Sequence, residues 1–258
     1  MKIAIIGSGN MGGAIARGLV AGGVCVAGEI VCTARSAESL ERISVAVPGV
    51  KISSDNARAV AGADFVVLAV KPWLVEEISA QIRESVSDSA AVISVAAGIS
   101  FERLDAFFAR RLAMFRAIPN TAAMLGKSMT FLAAHNASEA RVREVVAMFS
   151  ALGETLVVEE SQMAAGTALA SCGIAFAMRY AEAAIAGGRA LGFDAETAEK
   201  IVLRTIAGAV AVLENSSEGV AAEIRRVTTP GGLTERGLKA MTEHDFERAV
   251  VAGLEAAK

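Results

Sequence analysis

The chain has 258 residues, 53% of them hydrophobic and 21% charged, with a formal net charge of −3. That size and balance suit one large or two ordinary globular domains. The mild negative charge, with no stripe of Lys and Arg, argues against a polyanion-binding surface, so nucleic acid is not an expected partner. Cys25, Cys32 and Cys172 are scattered and lack metal-ligand spacing, which predicts reduced core or boundary thiols and no metal. The chain enters a strand directly at Met1-Lys2-Ile3-Ala4, so no leader is expected and the expected location is the cytoplasm. His135 and His244, the only histidines, both read as solvated.

In chain order, the first half alternates short apolar runs with helical patterns. Strands are expected over residues 3–6, 29–33, 65–70, 91–95, 111–118, 129–133 and 156–158. Helices are expected over 10–21, 37–43, after Pro72, over 101–110 and over 139–152. Such alternation builds a mostly parallel, doubly wound sheet with helices on both faces. From about residue 159 the strand signal stops, and 162–190, 195–213, 218–227, 230–241 and 245–257 all read as helices. The fold class is therefore an α/β Rossmann domain over 1–158 followed by an all-α domain over 159–258. Residues 161–178 carry no charge and could pass for a membrane span by length. They are rich in small residues and include Gln162 and Ser171, which fits a helix buried between subunits better. In so small a domain, helices this apolar point to a second copy of the chain as partner.

Gly7-Ser8-Gly9-Asn10-Met11-Gly12 follows the first strand and opens the first helix, the position at which this glycine spacing signals a dinucleotide site. Gly7 permits a tight turn, Gly9 a close approach to a pyrophosphate, and Gly12 close helix–strand packing. An acid that would bind a ribose hydroxyl is missing from the end of the second strand, and Arg35 and Ser36 stand there instead. A guanidinium beside a hydroxyl pairs with a 2′-phosphate, which predicts NADP(H). Ala69-Val70-Lys71-Pro72, Ala96-Ala97-Gly98 and Pro119-Asn120-Thr121 sit at later strand ends, where such sheets bind ligands.

Near the C-terminus, Thr228-Thr229-Pro230-Gly231-Gly232-Leu233-Thr234 reads as a helix start, with Thr229 as N-cap and Pro230 at the first helical position. Gly231 and Gly232 would leave bare backbone N–H groups that suit a small carboxylate, and Thr234 would add a hydroxyl one turn in.

Together these segments make the chain resemble the pyrroline-5-carboxylate reductases over nearly its whole length. The resemblance rests on Gly7–Gly12, Val70-Lys71-Pro72, Ala96-Ala97-Gly98, Pro119-Asn120-Thr121 and above all Thr229–Thr234 followed by Gly237-Leu238. It implies reduction of the cyclic imine Δ1-pyrroline-5-carboxylate to L-proline, the last step of proline synthesis. It further implies NADPH as cofactor, with NADH as the alternative, and a homodimer, in some members a ring of dimers. By position it assigns Thr234 to the ring nitrogen, Thr229, Gly231 and Gly232 to the substrate carboxylate, and Asn56 to the adenosine side. Arg35 and Ser36 fall near the 2′-phosphate contacts. Several departures bear on the substrate: Ile174 and Phe176 stand where the family has Pro and Tyr, Gly219-Val220 where it has His-Pro, and Ile224-Arg225 where it has Lys-Asp. They keep a reductase of a different cyclic imino acid as the alternative reading.

Overall fold

The computed structural model describes residues 1–258. Contacts divide them into two compact units, Met1–Ser171 with the terminal Lys258, and Cys172–Ala257. The first unit holds one eight-stranded sheet: β1 (Ile3–Ile6), β2 (Ile30–Thr33), β3 (Lys51–Ser53), β4 (Phe65–Leu68), β5 (Ala91–Ser94), β6 (Ala113–Ile118), β7 (Ser128–His135) and β8 (Gly153–Val157). Their spatial order is β3-β2-β1-β4-β5-β6-β7-β8. Every pair is parallel except β6 with β7, where the chain doubles back with Met114 opposite His135 and Ile118 opposite Phe131.

The short apolar runs follow from burial on both faces. Along β1, Ile3 and Ile5 join one core beneath the helices α1 (Asn10–Ala21), α2 (Ala37–Ala46) and α6 (Glu139–Ser150). Ala4 and Ile6 join a second core beneath α3 (Asn56–Val60), α4 (Val75–Ile82) and α5 (Phe101–Phe108). Ser36, Asp55, Ser100 and Ser138 each accept a backbone N–H three residues on and so start α2, α3, α5 and α6. Cys25 and Cys32 are buried and free, and burial pushes the Cys32 thiol up to about 12.

Strand β3 has no counterpart in the sequence reading. It is three residues long, with Lys51 and Ile52 exposed on the sheet edge, so no apolar run marks it. His135 differs from expectation as well. It lies only partly open, 2.9 Å from the Asp105 carboxylate and stacked on Phe101.

The expected boundary fell at residue 158, whereas the contacts keep 159–171 with the first unit. Met163 of α7 (Met163–Gly166) is buried in the second core, and Gly166 leaves no room above the Phe131 ring. A π-helical turn, Thr167–Cys172, follows. The second unit is all helical: α8 (Gly173–Ala190), α9 (Ala195–Glu214), α10 (Val220–Arg226), α11 (Leu233–Glu243) and α12 (Phe246–Ala256). Gly188 lets α8 approach Ala198 of α9, and Tyr180 meets Phe246 edge-on. Only Ala181 and Ala198 are buried in this unit, while Met178, Val212, Leu233 and Val251 are all more than half exposed. Helix 160–190 is long and apolar enough to cross a membrane by length and composition.

Candidate active site

The strand order reverses at β1, with β2 on one side and β4 on the other, which opens a crevice at the carboxyl ends of these strands. A cavity of ≈ 890 Å³ occupies it, within the usual range for a ligand site. Gly7, Ser8, Gly9, Asn10 and Met11 line it, together with Arg35, Ser36, Asn56, Ala69, Val70, Lys71, Pro72 and Ala97. These residues, 90 positions apart at the extremes, were expected to share one site, and the fold gathers them.

The glycine turn is shaped by close approach. Gly7 has φ +98°, and a side chain there would meet the Ala69 carbonyl at 2.8 Å. Its amide and that of Ser8 both donate to the Thr33 carbonyl, at 3.1 and 2.8 Å, which ties the turn to β2. A Cβ on Gly12 would sit 2.0 Å from the Gly7 carbonyl oxygen, so Gly12 serves packing beneath the turn rather than the cavity wall. A Cβ on Gly9 would meet nothing within 4 Å, since this residue opens into the cavity at the start of α1. The Ser8 hydroxyl is buried and has no partner within the protein. An orphan hydroxyl, an open glycine and a helix amino end at one point fit the phosphates of a dinucleotide.

Two expected wall residues sit elsewhere. Gly98 takes φ +75° in the turn after β5, next to Ala97 but outside the cavity lining. Asn120 is buried and its side chain is already engaged. Its Oδ1 accepts from the Ala122 amide at 3.0 Å, and its Nδ2 donates to the Ala170 carbonyl in the π-helical turn at 3.3 Å. Both bonds go to the protein, so Asn120 anchors the segment that brings Ser171 to the cavity wall. The sequence reading missed Thr33, Ser39, Ser54, Glu77, Gln81 and Ser171, which also line the cavity. Ser39 carried a signal, being one helical turn after Ser36; its hydroxyl accepts from Ser36 and from Arg42. The others needed the sheet order to be placed.

In the second unit, the glycine loop is built differently from the expected helix start. Gly231 has φ +73°, and the Gly232 amide donates to the Thr229 carbonyl at 2.8 Å. Pro at the second position and a left-handed glycine at the third make a type II turn. The positive φ of Gly231 cannot continue into a helix, so α11 begins at Leu233 with Gly232 as its N-cap. Thr229 is therefore the first residue of the turn, and Thr234 the second residue of the helix. The Gly231 amide is taken by the Glu235 carboxylate at 2.6 Å. Backbone bonding within the helix starts with the Arg236 amide on Gly232, so the open amides are those of Leu233, Thr234 and Glu235 rather than those of the glycines. The two glycines shape the turn that presents them.

A family model for pyrroline-5-carboxylate reductase dimerisation matches residues 160–258, and a model for NADP oxidoreductase, coenzyme F420-dependent, matches residues 2–98. Pyrroline-5-carboxylate reductase 2 of Bacillus subtilis is 33% identical over 98% of this chain and 91% of its own length. The Pseudomonas aeruginosa pyrroline-5-carboxylate reductase is 35% identical over 99% and 94%. The chain spans 48% of the longer pyrroline-5-carboxylate reductase 1 of Dictyostelium discoideum. The solved structure of the Plasmodium falciparum pyrroline carboxylate reductase, with NADP bound, shares the fold at a TM-score of 0.92 and 24% identity, covering 100% of this chain and 95% of that one. With a glycine-turn crevice in one unit, a Pro-Gly-Gly turn in the other and relatives matching end to end, the chain belongs to the pyrroline-5-carboxylate reductase family.

Proposed function

We infer that this protein reduces Δ1-pyrroline-5-carboxylate to L-proline with NADPH. The observation that carries the reading is 33–35% identity over nearly the whole chain with reductases of that name, joined to a crevice whose open glycine and orphan Ser8 hydroxyl suit a dinucleotide. When bound, NADPH supplies the hydride for the C=N carbon. The chain's own residues hold and orient. Gly9, Asn10 and Met11 would receive the pyrophosphate at the amino end of α1, and Ala69 to Pro72 and Ala97 would flank the nicotinamide half. Arg35 and Ser36 would hold the 2′-phosphate, and Asn56 the adenosine side. At the Pro-Gly-Gly turn, the open amides of Leu233 to Glu235 and the Thr229 side chain would take the substrate carboxylate, with Thr234 donating to the ring nitrogen. A protonated imine accepts hydride readily, so the mechanism needs no strong general base.

The decisive assay is direct. NADPH absorbance falls when pyrroline-5-carboxylate is added, and proline accumulates in equal amount. A six-membered imino acid consumed faster than the five-membered one would transfer the reading to that substrate, as Ile174 and Phe176 invite. Arg35→Glu is expected to raise the KM for NADPH about ten- to a hundredfold while changing that for NADH far less, because it replaces a charge-assisted contact with a like charge. Steady-state kinetics with both cofactors checks this. We further propose that the chain works in the cytoplasm as a homodimer, with rings of dimers as the higher assembly that analytical ultracentrifugation would reveal.

A further inference from the structure

Four side chains on three elements form one line along the cavity wall. The Thr33 hydroxyl at the end of β2 donates to Asn56 Oδ1 at 2.7 Å. Asn56 Nδ2 donates to Gln81 Oε1 at 3.0 Å, and Gln81 Nε2 donates to Glu77 Oε1 at 3.1 Å. Glu77 and Gln81 are one helical turn apart on α4, and all four residues line the cavity.

The direction of this line has one origin. An ionised carboxylate can only accept, whereas an amide can present either its oxygen or its nitrogen. Glu77 therefore draws the nitrogen of Gln81 toward itself and turns the Gln81 oxygen toward Asn56. That oxygen in turn demands the nitrogen of Asn56, whose oxygen then faces Thr33 and takes its only proton. Asn56 is left with one N–H that no protein atom accepts, and the Thr33 hydroxyl is left able only to accept. A sugar hydroxyl both gives and takes a proton, so it matches this pair.

We propose that Glu77, acting through Gln81, is a positioning residue that fixes the amide of Asn56 so that its free N–H meets a ribose oxygen of the dinucleotide. The proposal rests on the cofactor reading above. It makes an exposed carboxylate on the cavity wall a determinant of cofactor affinity through its neighbours, with no contact of its own to the reacting atoms.

The test exchanges the two α4 residues. Both are exposed, so substitution leaves the core intact. Binding is followed by quenching of Trp73, the single tryptophan, which lies between the cavity-lining Pro72 and Leu74 and whose emission NADPH absorbs. Glu77→Gln, an amide that no longer dictates direction, should weaken NADPH binding about three- to tenfold, the scale of one hydrogen bond, with kcat and the KM for the imine unchanged. The double variant Glu77→Gln/Gln81→Glu keeps composition and charge and puts the acceptor-only group directly against Asn56. It should return the affinity to within about twofold of wild type, which a merely structural role for Glu77 would not produce. Wild-type affinity in Glu77→Gln, or a double variant as weak as the single, overturns the proposal. A wild-type protein that fails to quench with NADPH removes the cofactor reading beneath it.

Discussion

Thr234→Ala should lower kcat for imine reduction by about ten- to a thousandfold while NADPH binding stays at the wild-type level. The side chain is exposed at the second position of α11, so its removal disturbs no core. The adjoining turn is held by backbone geometry and by the Glu235 carboxylate on the Gly231 amide, neither of which uses the Thr234 hydroxyl. On the proposed reading, what would be lost is the donor to the nitrogen that becomes an amine. Stopped-flow reduction at saturating NADPH separates this from a binding defect. Full activity in Thr234→Ala would reassign the proton donor. Thr234→Ser, which keeps the hydroxyl, should retain most of the rate.

The second large effect sets two glycines of one motif against each other. Gly12→Ala places a methyl 2.0 Å from the Gly7 carbonyl oxygen and 3.2 Å from Ala69 Cβ. Backbone cannot yield there without moving the turn off β1, so a loss of about 1–3 kcal/mol or more is expected, along with loss of the cofactor. Alanine's better helix propensity recovers only about 0.5–1 kcal/mol of that. Gly9→Ala meets nothing within 4 Å, so thermal stability should remain at the wild-type level. Its methyl instead fills the opening where a pyrophosphate would approach, and NADPH affinity should fall at least tenfold. Melting curves and NADPH titrations on the two variants should therefore diverge: one loses both properties and the other only binding.

How much of this was legible in the sequence depended on the range of the interactions. Gly7–Gly12 could be assigned because strand, turn and helix are contiguous, and the buried strands announced themselves as apolar runs. The three-residue β3, exposed on the sheet edge with a single apolar residue, gave no such signal. Asn120 falls outside the cavity lining although its neighbours Pro119 and Thr121 line it, because its amide is engaged by Ala122 and by Ala170, 50 residues away. The helix start at Thr229 failed for a local reason. Thr-Pro-Gly-Gly satisfies both the capping pattern and the type II turn pattern, and only the backbone angle of Gly231 decides between them. The line from Glu77 to Thr33 joins β2, α3 and α4, so no spacing rule could propose it.

The helical unit, Cys172–Ala257, carries a thermodynamic consequence. Five helices that enclose only two buried side chains cannot repay the entropy of ordering from their own interior. Their order must come from a face that another molecule covers, which makes the folded state a product of association. The midpoint of unfolding should therefore climb as the protein is made more concentrated, and dilution alone should loosen α8 to α12 before it disturbs the sheet.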